Sequence, residues 1–239
     1  MRRPAYNGAV TDDIPDLTLQ TFAKSFFAQG QKYGFRFEDY VRFVNILLDV
    51  AMEGAGKMGF EDHGPLPLQG DGIVIRGFIP EDRPLFHQWL SDKSGRHFLL
   101  SRSTGKSINV DELLDDPKNI VGIIATTDGL PIGSVAFLQH DPLQHKAELR
   151  KIVGNPTMRG KGIGKEATCL WVGHGLQTLG LKKIYLYTLA SNLHNIKLNQ
   201  RLGFRMEGLL RNEVLLDGTY HDVLRMGLIA ESSETKAST

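Results

Sequence analysis

The sequence contains very little cysteine: Cys169 is the only one among 239 residues. A single thiol excludes an intramolecular disulfide framework and any zinc site that needs two or more thiolate ligands. We therefore expect a protein of a reducing compartment. Because Cys169 lies in an apolar, helix-like run, we expect its side chain to be packed.

Long apolar runs are also missing. No stretch approaches the roughly 18 uninterrupted apolar residues of a membrane-spanning helix. Arg2 and Arg3 stand near the first residue, but no apolar core of a signal peptide follows them. These absences predict a soluble, cytoplasmic protein that does not contact a membrane.

Charge of one sign is not in excess, since 28 Lys and Arg stand against 27 Asp and Glu. A chain with almost no net charge has no overall positive potential, so we do not expect it to bind nucleic acid. The histidines also fail to form a pair with the spacing of a helical metal site, so we predict no metal and expect surface or core positions for them. Those considered are His140, His145, His174 and His221.

The apolar residues that are present, 41% of the chain, are enough to build a core. Two runs with helical periodicity, 17–27 and 37–51, predict a helical hairpin with its turn at 30–34. Five glycines and two prolines within 54–70 predict a linker. We therefore divide the chain into an N-terminal helical extension with its linker (1–70), a main domain (71–230) and a disordered tail (231–239).

The main domain alternates between the two periodicities. Asp128-Gly129 predicts a hairpin turn, and Asn109 with Glu112 resembles a capping box. Strands are predicted at 73–76, 120–126, 131–138, 148–153, 183–189, 204–216 and 220–229, and helices at 80–89, after 109, at 164–179 and at 192–202. This order predicts a mixed sheet in an α/β or α+β domain.

A glycine-rich loop joins the strand at 148–153 to the helix at 164–179. Amides at a helix N-terminus, with the positive end of the helix dipole behind them, form an anion site. Gly160, Gly162 and Gly164 allow a diphosphate to approach, while Arg159, Lys161 and Lys165 add positive charge. The spacing fits neither a P-loop nor the G-x-G-x-x-G pattern of dinucleotide-binding proteins and kinases.

The string Arg159-Gly160-Lys161-Gly162-Ile163-Gly164 resembles the [Arg/Gln]-x-x-Gly-x-[Gly/Ala] signature of the GNAT superfamily of N-acetyltransferases. Its neighbours match too: Asn192, Asn195, Asn199 and Gly203-Phe204 are similar to a later helix of that family. Glu207-Gly208 and the segment from Asp217 to Val223 are typical of its ribosomal-protein and amino-sugar-nucleotide branches. The resemblance covers 73–229 and implies a mostly antiparallel sheet flanked by helices, with acetyl-CoA as co-substrate.

The resemblance also implies which residues bind the cofactor. Amides near Ile152, Val153 and Gly154 would hold the pantetheine arm and the acetyl carbonyl. The loop residues Arg159, Gly160, Lys161, Gly162, Ile163, Gly164 and Lys165 would hold the diphosphate. Asn192 would cap its helix and also contact the pantetheine arm. Asn199 stands where many relatives carry a tyrosine that protonates the CoA thiolate.

Glu148 is the candidate general base, at a spacing from Arg159 that resembles the family's catalytic glutamate. The alternative is a structural carboxylate paired with Arg150 or Lys151. The missing tyrosine also leaves open a catalytically silent acyl-CoA-binding module. For an enzyme, direct attack by a primary amine is implied.

The acceptor remains open between a small molecule, such as an amino-sugar nucleotide, and the N-terminus of a peptide. The basic segment 91–107, with Lys93, Arg96, Arg102 and Lys106, favours an anionic acceptor. The aromatic-rich hairpin is either a helical pair packed on the main domain or, alternatively, a homodimer surface or a wall of the acceptor pocket.

Overall fold

The computed structural model describes residues 14–51, 60–61, 63–91 and 109–230, without the side chains of residues 48, 49 and 51. The chain forms two compact units, Met1–Glu53 and Gly54–Thr239. Nearly all of the basic segment predicted to face the acceptor and the whole predicted tail lie outside the described residues, as does part of the predicted linker. No described helix is long and apolar enough to cross a membrane.

The first unit is the predicted helical hairpin, formed by α1 (Asp16–Lys32) and α2 (Phe37–Ala51). The prediction that the turn begins at Gly30 is wrong, because α1 continues to Lys32. Gly30 serves packing: a Cβ there would lie 2.6 Å from the Tyr40 hydroxyl oxygen. Gly34, with φ of +75°, is the glycine that the turn itself requires.

Aromatic side chains join the two helices of this hairpin. The rings of Phe26 and Phe43 stack at 4.0 Å, and Phe35 and Tyr40 contact Phe26 edge-on. The Tyr40 hydroxyl donates to the Phe27 carbonyl at 3.0 Å. Such ring pairs stabilise the hairpin beyond their burial alone. Other large apolar side chains of the unit remain exposed, among them Leu17, Phe22, Phe37 and Leu47.

The second unit contains the predicted alternation of strands and helices. Its described helices are α3 (Arg83–Ser91), α4 (Val110–Asp115), α5 (Ile163–Gln177) and α6 (Leu193–Arg201), with 3-10 turns at Pro80–Asp82 and Pro156–Met158. Its strands are β1 (Leu68–Gln69), β2 (Ile73–Gly77), β3 (Ile120–Thr126), β4 (Pro131–Asp141), β5 (Lys146–Val153), β6 (Lys183–Leu189), β7 (Arg205–Leu216) and β8 (Thr219–Ile229). Asn109 caps α4 as predicted, accepting from the amides of Asp111 and Glu112.

The described strands form one eight-stranded sheet in the order β1-β2-β3-β4-β5-β6-β8-β7. Neighbours are antiparallel except β5 and β6, which are parallel, so the predicted mixed and mostly antiparallel sheet is confirmed. The pairing of β5 with β6 ends at Glu148 and Tyr185, although both strands continue. The two strands therefore separate and leave a gap in the middle of the sheet.

Helices cover both faces of the sheet. On one face the α5 residue Trp171 is fully buried and stacks on Phe137 of β4 at 5.3 Å. Gly122 of β3 makes room for it, since a Cβ there would lie 2.8 Å from the indole. On the other face α3 buries Phe86 and Trp89 against β3, β4 and β5.

Candidate functional site

The glycine-rich loop leads directly into α5, whose first residue is Ile163. Gly160 and Gly162 have φ of +78° and +86°, which L side chains rarely adopt. A Cβ at either position would meet nothing within 4 Å, so these glycines are required by the backbone and the space beside them is open. Lys161 and Lys165 are exposed at the same end of the helix. This arrangement fits a bound diphosphate.

Arg159 also stabilises the loop. Its Nε donates to the Val153 carbonyl at 2.9 Å and its Nη2 donates to the Gly154 carbonyl at 3.2 Å. These bonds tie the loop to the end of β5. Gly154 itself is buried against Trp89, where a Cβ would lie 2.3 Å from the indole. The loop and the strand end are therefore one rigid piece of backbone.

Glu166 is the acidic residue in the first turn of α5. Its carboxylate accepts from the Gly72 amide at 3.1 Å, in the turn between β1 and β2. The side chain therefore leaves the glycine-rich loop and engages the neighbouring turn. The exposed Lys161 and Lys165 supply two positive charges at the same end of the helix, against the one negative charge of Glu166.

The gap between β5 and β6 begins beyond Glu148 and Tyr185. On its other edge β5 is tied to β4, with Ile152 paired to Ser134 and Val153 paired to Gly133. Ile152 and Val153, two of the predicted cofactor-binding residues, thus lie on the part of β5 that borders the gap. An extended ligand arm could bind there by forming hydrogen bonds with the backbone of the β5 edge.

Glu148 and Arg150 lie on the sheet face covered by α3 and α4, and each is 3% exposed. Their side chains form an ion pair, so Arg150 is the partner of the Glu148 carboxylate. The role of Glu148 as general base stays a prediction. The alternative pairing of Glu148 with Lys151 is wrong. Lys151 lies three residues further along the strand, so its side chain points to the opposite face of the sheet. Burial lowers the pKa of Arg150, while the Glu148 carboxylate opposes that shift.

An arginine–tyrosine cluster extends from this ion pair across β6 and β8; we define it as Glu148, Arg150, Lys183, Tyr185, Tyr187, Glu207 and Arg225. The Arg225 guanidinium lies 4.8 Å from the centroid of the Tyr185 ring and 5.6 Å from that of Tyr187. Glu207 accepts from Arg225 at 3.1 Å and pairs with Lys183. Arg150 donates to the Tyr187 carbonyl at 3.4 Å. Cations on aromatic faces are held in fixed positions.

The sequence reasoning named Glu148 and Arg150 but did not bring them together with the rest of this cluster. Gly227 is the local reason for its geometry: a Cβ there would lie 2.4 Å from Glu207 Oε1, so only glycine lets that carboxylate lie across β8. The available signal was the alternation of Lys183, Tyr185 and Tyr187 along β6, which places all three side chains on one face. The positions of Glu207 on β7 and Arg225 on β8 could not be predicted in this way, because they depend on the register between strands.

The opposite face carries the predicted asparagines on α6. Asn192 caps the helix by accepting from the Asn195 amide at 3.2 Å, which confirms its capping role. Asn199 is fully buried, and its Oδ1 accepts from Lys151 Nζ at 2.9 Å. Burial lowers the pKa of Lys151 to about 7. The structure therefore places a titratable ammonium beside the gap, which the sequence reasoning treated only as a partner for Glu148.

One of the histidines, His174, is a core residue. His174 is buried on α5 beside Trp171, and its Nδ1 lies 3.1 Å from the Gly64 carbonyl. Among residues 14–51, 60–61, 63–91 and 109–230, no group of three or more potential ligands could hold a metal ion. Cys169 is half-buried, as expected, and burial raises the pKa of its thiol.

Comparisons with known proteins identify relatives of the second unit. The model of the acetyltransferase (GNAT) domain family matches residues 73–205. Spermidine N(1)-acetyltransferase of Escherichia coli is 31% identical over 157 residues, which are 64% of this chain and 84% of that protein. A probable N-acetyltransferase of Bacillus subtilis is 25% identical over 170 residues, or 65% of this chain and 92% of that one.

Solved structures share the fold of this unit. The Vibrio cholerae spermidine N-acetyltransferase in complex with CoA and spermine superposes with a TM-score of 0.57 at 22% identity. The match covers 67% of this chain and 96% of that structure.

Proposed function

Since the chain belongs to the GNAT acetyltransferase family, we propose that this N-acetyltransferase transfers the acetyl group of acetyl-CoA to a small primary amine that also carries an acidic group. An amino-sugar nucleotide is an acceptor of this kind. The observation that carries the proposal is the arginine–tyrosine cluster beside the gap between β5 and β6. Its charges favour an anion over a polycation.

The charge balance of the cluster supports this choice. Three cationic side chains, Arg150, Lys183 and Arg225, stand against Glu148 and Glu207. Both carboxylates already pair with these cations, so a polycationic acceptor would have to displace an internal partner. The Arg225 side chain is 38% exposed and can still offer donors to an incoming carboxylate or phosphate. An acidic group on the acceptor is therefore the better complement.

The chain supplies groups suited to acetyl-CoA. We propose that the amides at the start of α5, with Lys161 and Lys165, hold the diphosphate, and that Ile152, Val153 and Gly154 hold the acetyl end along the β5 edge. Asn192 would contact the pantetheine arm in the gap. The thioester supplies an activated acetyl carbonyl, and the fixed β5 amides stabilise the negative charge that its oxygen develops.

We propose that the acceptor amine attacks the thioester carbonyl directly and that Glu148 takes the proton that the amine loses. Glu148 lies on the same sheet face as the arginine–tyrosine cluster, which we propose as the acceptor side. Arg150 holds the carboxylate in place through their buried ion pair. A fixed proton acceptor on that side would leave the amine neutral for attack.

The experiment is an acceptor screen with acetyl-CoA, read by mass spectrometry of the products and by thiol release. Amino-sugar nucleotides, peptides with free N-termini, and spermidine are compared at equal concentration. We expect the anionic amines to be acetylated fastest. Acetylation of spermidine in preference to every anionic amine would overturn the proposal, and tight acetyl-CoA binding without any product would favour a silent binding module.

Two variants sharpen this screen. Arg225→Met removes the exposed guanidinium, and we expect it to raise KM for an anionic acceptor about tenfold, as the loss of one charge-assisted hydrogen bond does. Arg211→Met removes an exposed arginine of β7 outside the cluster and serves as the matched control. Equal effects of the two substitutions would contradict recognition by Arg225.

A polyamine acceptor is the second candidate, because the E. coli relative is a spermidine N(1)-acetyltransferase. Under this candidate Arg225 would oppose the substrate. Arg225→Met would then lower KM for spermidine instead of raising KM for an anion. The same pair of variants therefore distinguishes the two acceptors.

A further inference from the structure

Lys151 is a partly buried cation without a counter-charge among the described residues. In the part of the chain that the structure describes, no carboxylate pairs with it, and its ammonium donates to the neutral Asn199 amide oxygen at 2.9 Å. Asn199 is itself fully buried. Removing an ammonium from water against a neutral acceptor is unfavourable, and groups in such environments cluster at functional sites. The position is therefore a candidate functional site.

The location of Lys151 suggests the use. It directly precedes Ile152, on the segment of β5 that β6 no longer pairs. The β5 edge in that segment is the part that we assign to the acetyl end of acetyl-CoA. Lys151 approaches it from the α6 face, whereas Glu148 and Arg150 lie on the other face. The two sides of the thioester would thus meet different titratable groups.

We propose that Lys151 gives its proton to the sulfur of CoA when the thioester breaks. The acceptor nitrogen forms its bond to the carbonyl carbon, the carbon–sulfur bond then breaks, and its electron pair goes to sulfur. The Lys151 ammonium protonates that sulfur and becomes a neutral amine. Water returns a proton to the amine before the next turnover. This inference rests on acetyl transfer from acetyl-CoA and not on the identity of the acceptor.

The pairing with Asn199 explains why a lysine can serve here. The resemblance stated for the sequence implies a tyrosine at the position of Asn199 in many members of the family. In this chain Asn199 instead accepts a hydrogen bond from Lys151 and holds its ammonium in place. Burial also gives Lys151 a pKa of about 7. A donor that titrates near neutral pH both gives up and regains its proton readily.

The first test compares two substitutions in the full chain, using whichever acceptor the screen identifies. Lys151→Met removes the proton, and we expect kcat to fall about 100-fold, the lower end of a general acid's contribution. Lys151→Arg keeps the positive charge and a donor to Asn199 but does not release a proton near pH 7. We expect it to lose activity to a similar extent. Full activity of either variant would overturn the proposal.

A rescue separates proton donation from structural support. Adding Asn199→Tyr to Lys151→Met returns a hydroxyl to the same region, and we expect kcat to recover about tenfold or more. If Lys151 had only a structural role, the added hydroxyl would not restore kcat. Thermal unfolding of each variant verifies that it folds. Lys151→Met should fold, because it removes a partly buried charge.

A binding measurement tests the inference without any acceptor. Calorimetry at pH 8 compares the affinities of the protein for CoA and for acetyl-CoA. The two ligands differ at the sulfur, which is a thiol in CoA and part of a thioester in acetyl-CoA. A Lys151 amine next to the thiol can share its proton, so we expect the preference for CoA over acetyl-CoA to fall about tenfold in Lys151→Met. An unchanged preference would place Lys151 away from the sulfur. This outcome is independent of whether the acceptor proposal fails.

Discussion

Removing the buried guanidinium of Arg150 should destabilise the second unit strongly. Arg150→Met keeps an aliphatic chain of similar length but leaves the Glu148 carboxylate without its partner, at a site where both residues are 3% exposed. Breaking one side of a buried ion pair costs about 3–5 kcal/mol, because the remaining charge is desolvated and uncompensated. With a urea m-value of about 2 kcal/mol/M, the unfolding midpoint should fall by about 2 M.

Tryptophan fluorescence can follow this unfolding, since Trp89 and Trp171 are both buried in the second unit. Removing both charges, in Glu148→Gln/Arg150→Met, should cost less than Arg150→Met alone, because no isolated charge remains. Arg83→Met removes pairs with the more exposed Asp111 and Asp115 and a contact with the Phe78 ring, and should lower the midpoint much less than Arg150→Met does. A loss below about 1 kcal/mol for Arg150→Met would refute the desolvated pair.

Three further predictions concern the site. Glu148→Gln should lower kcat at neutral pH. The loss should shrink as pH rises, because more of the acceptor amine is then already neutral. A kcat equal to that of the wild type at every pH would remove Glu148 from the mechanism. Gly162→Ala should weaken acetyl-CoA binding measured by calorimetry, since φ there is +86°, whereas Gly208→Ala, where a Cβ meets nothing within 4 Å, should not. Lys151→Met should exceed wild type in unfolding free energy by up to roughly 4 kcal/mol at pH 7. This gain should shrink toward pH 10, because the pKa of Lys151 is about 7 in the fold and 10.5 when exposed.

Local patterns predicted the elements well where one periodicity dominates. The predicted strands at 120–126 and 183–189 and the helix at 37–51 have the observed bounds. Asn109 and Asn192 cap helices because their chemistry acts within three residues. Strand β1 was missed because a two-residue strand has no periodicity to detect.

Predictions that depend on distant partners were less successful. Gly30 has the composition of a turn residue, yet Tyr40 on the next helix makes it a packing position within α1. Both Arg150 and Lys151 were left open as partners of Glu148, although strand alternation places only Arg150 on the same face. The arginine–tyrosine cluster needed the register of β6 with β8 and of β8 with β7, which no short motif specifies.

The two ends of the sheet have a consequence for self-association. The outermost strands are β1, which is two residues long, and β7, whose pairing with β8 shifts between Met206 and Gly208 and again between Leu210 and Val214. A strand from a second molecule needs a long, regular row of unpaired amides and carbonyls to extend a sheet. Neither border offers one. Both borders of the described sheet are therefore poor templates for a strand of a second molecule. We expect the protein to resist growth of the sheet at high protein concentration.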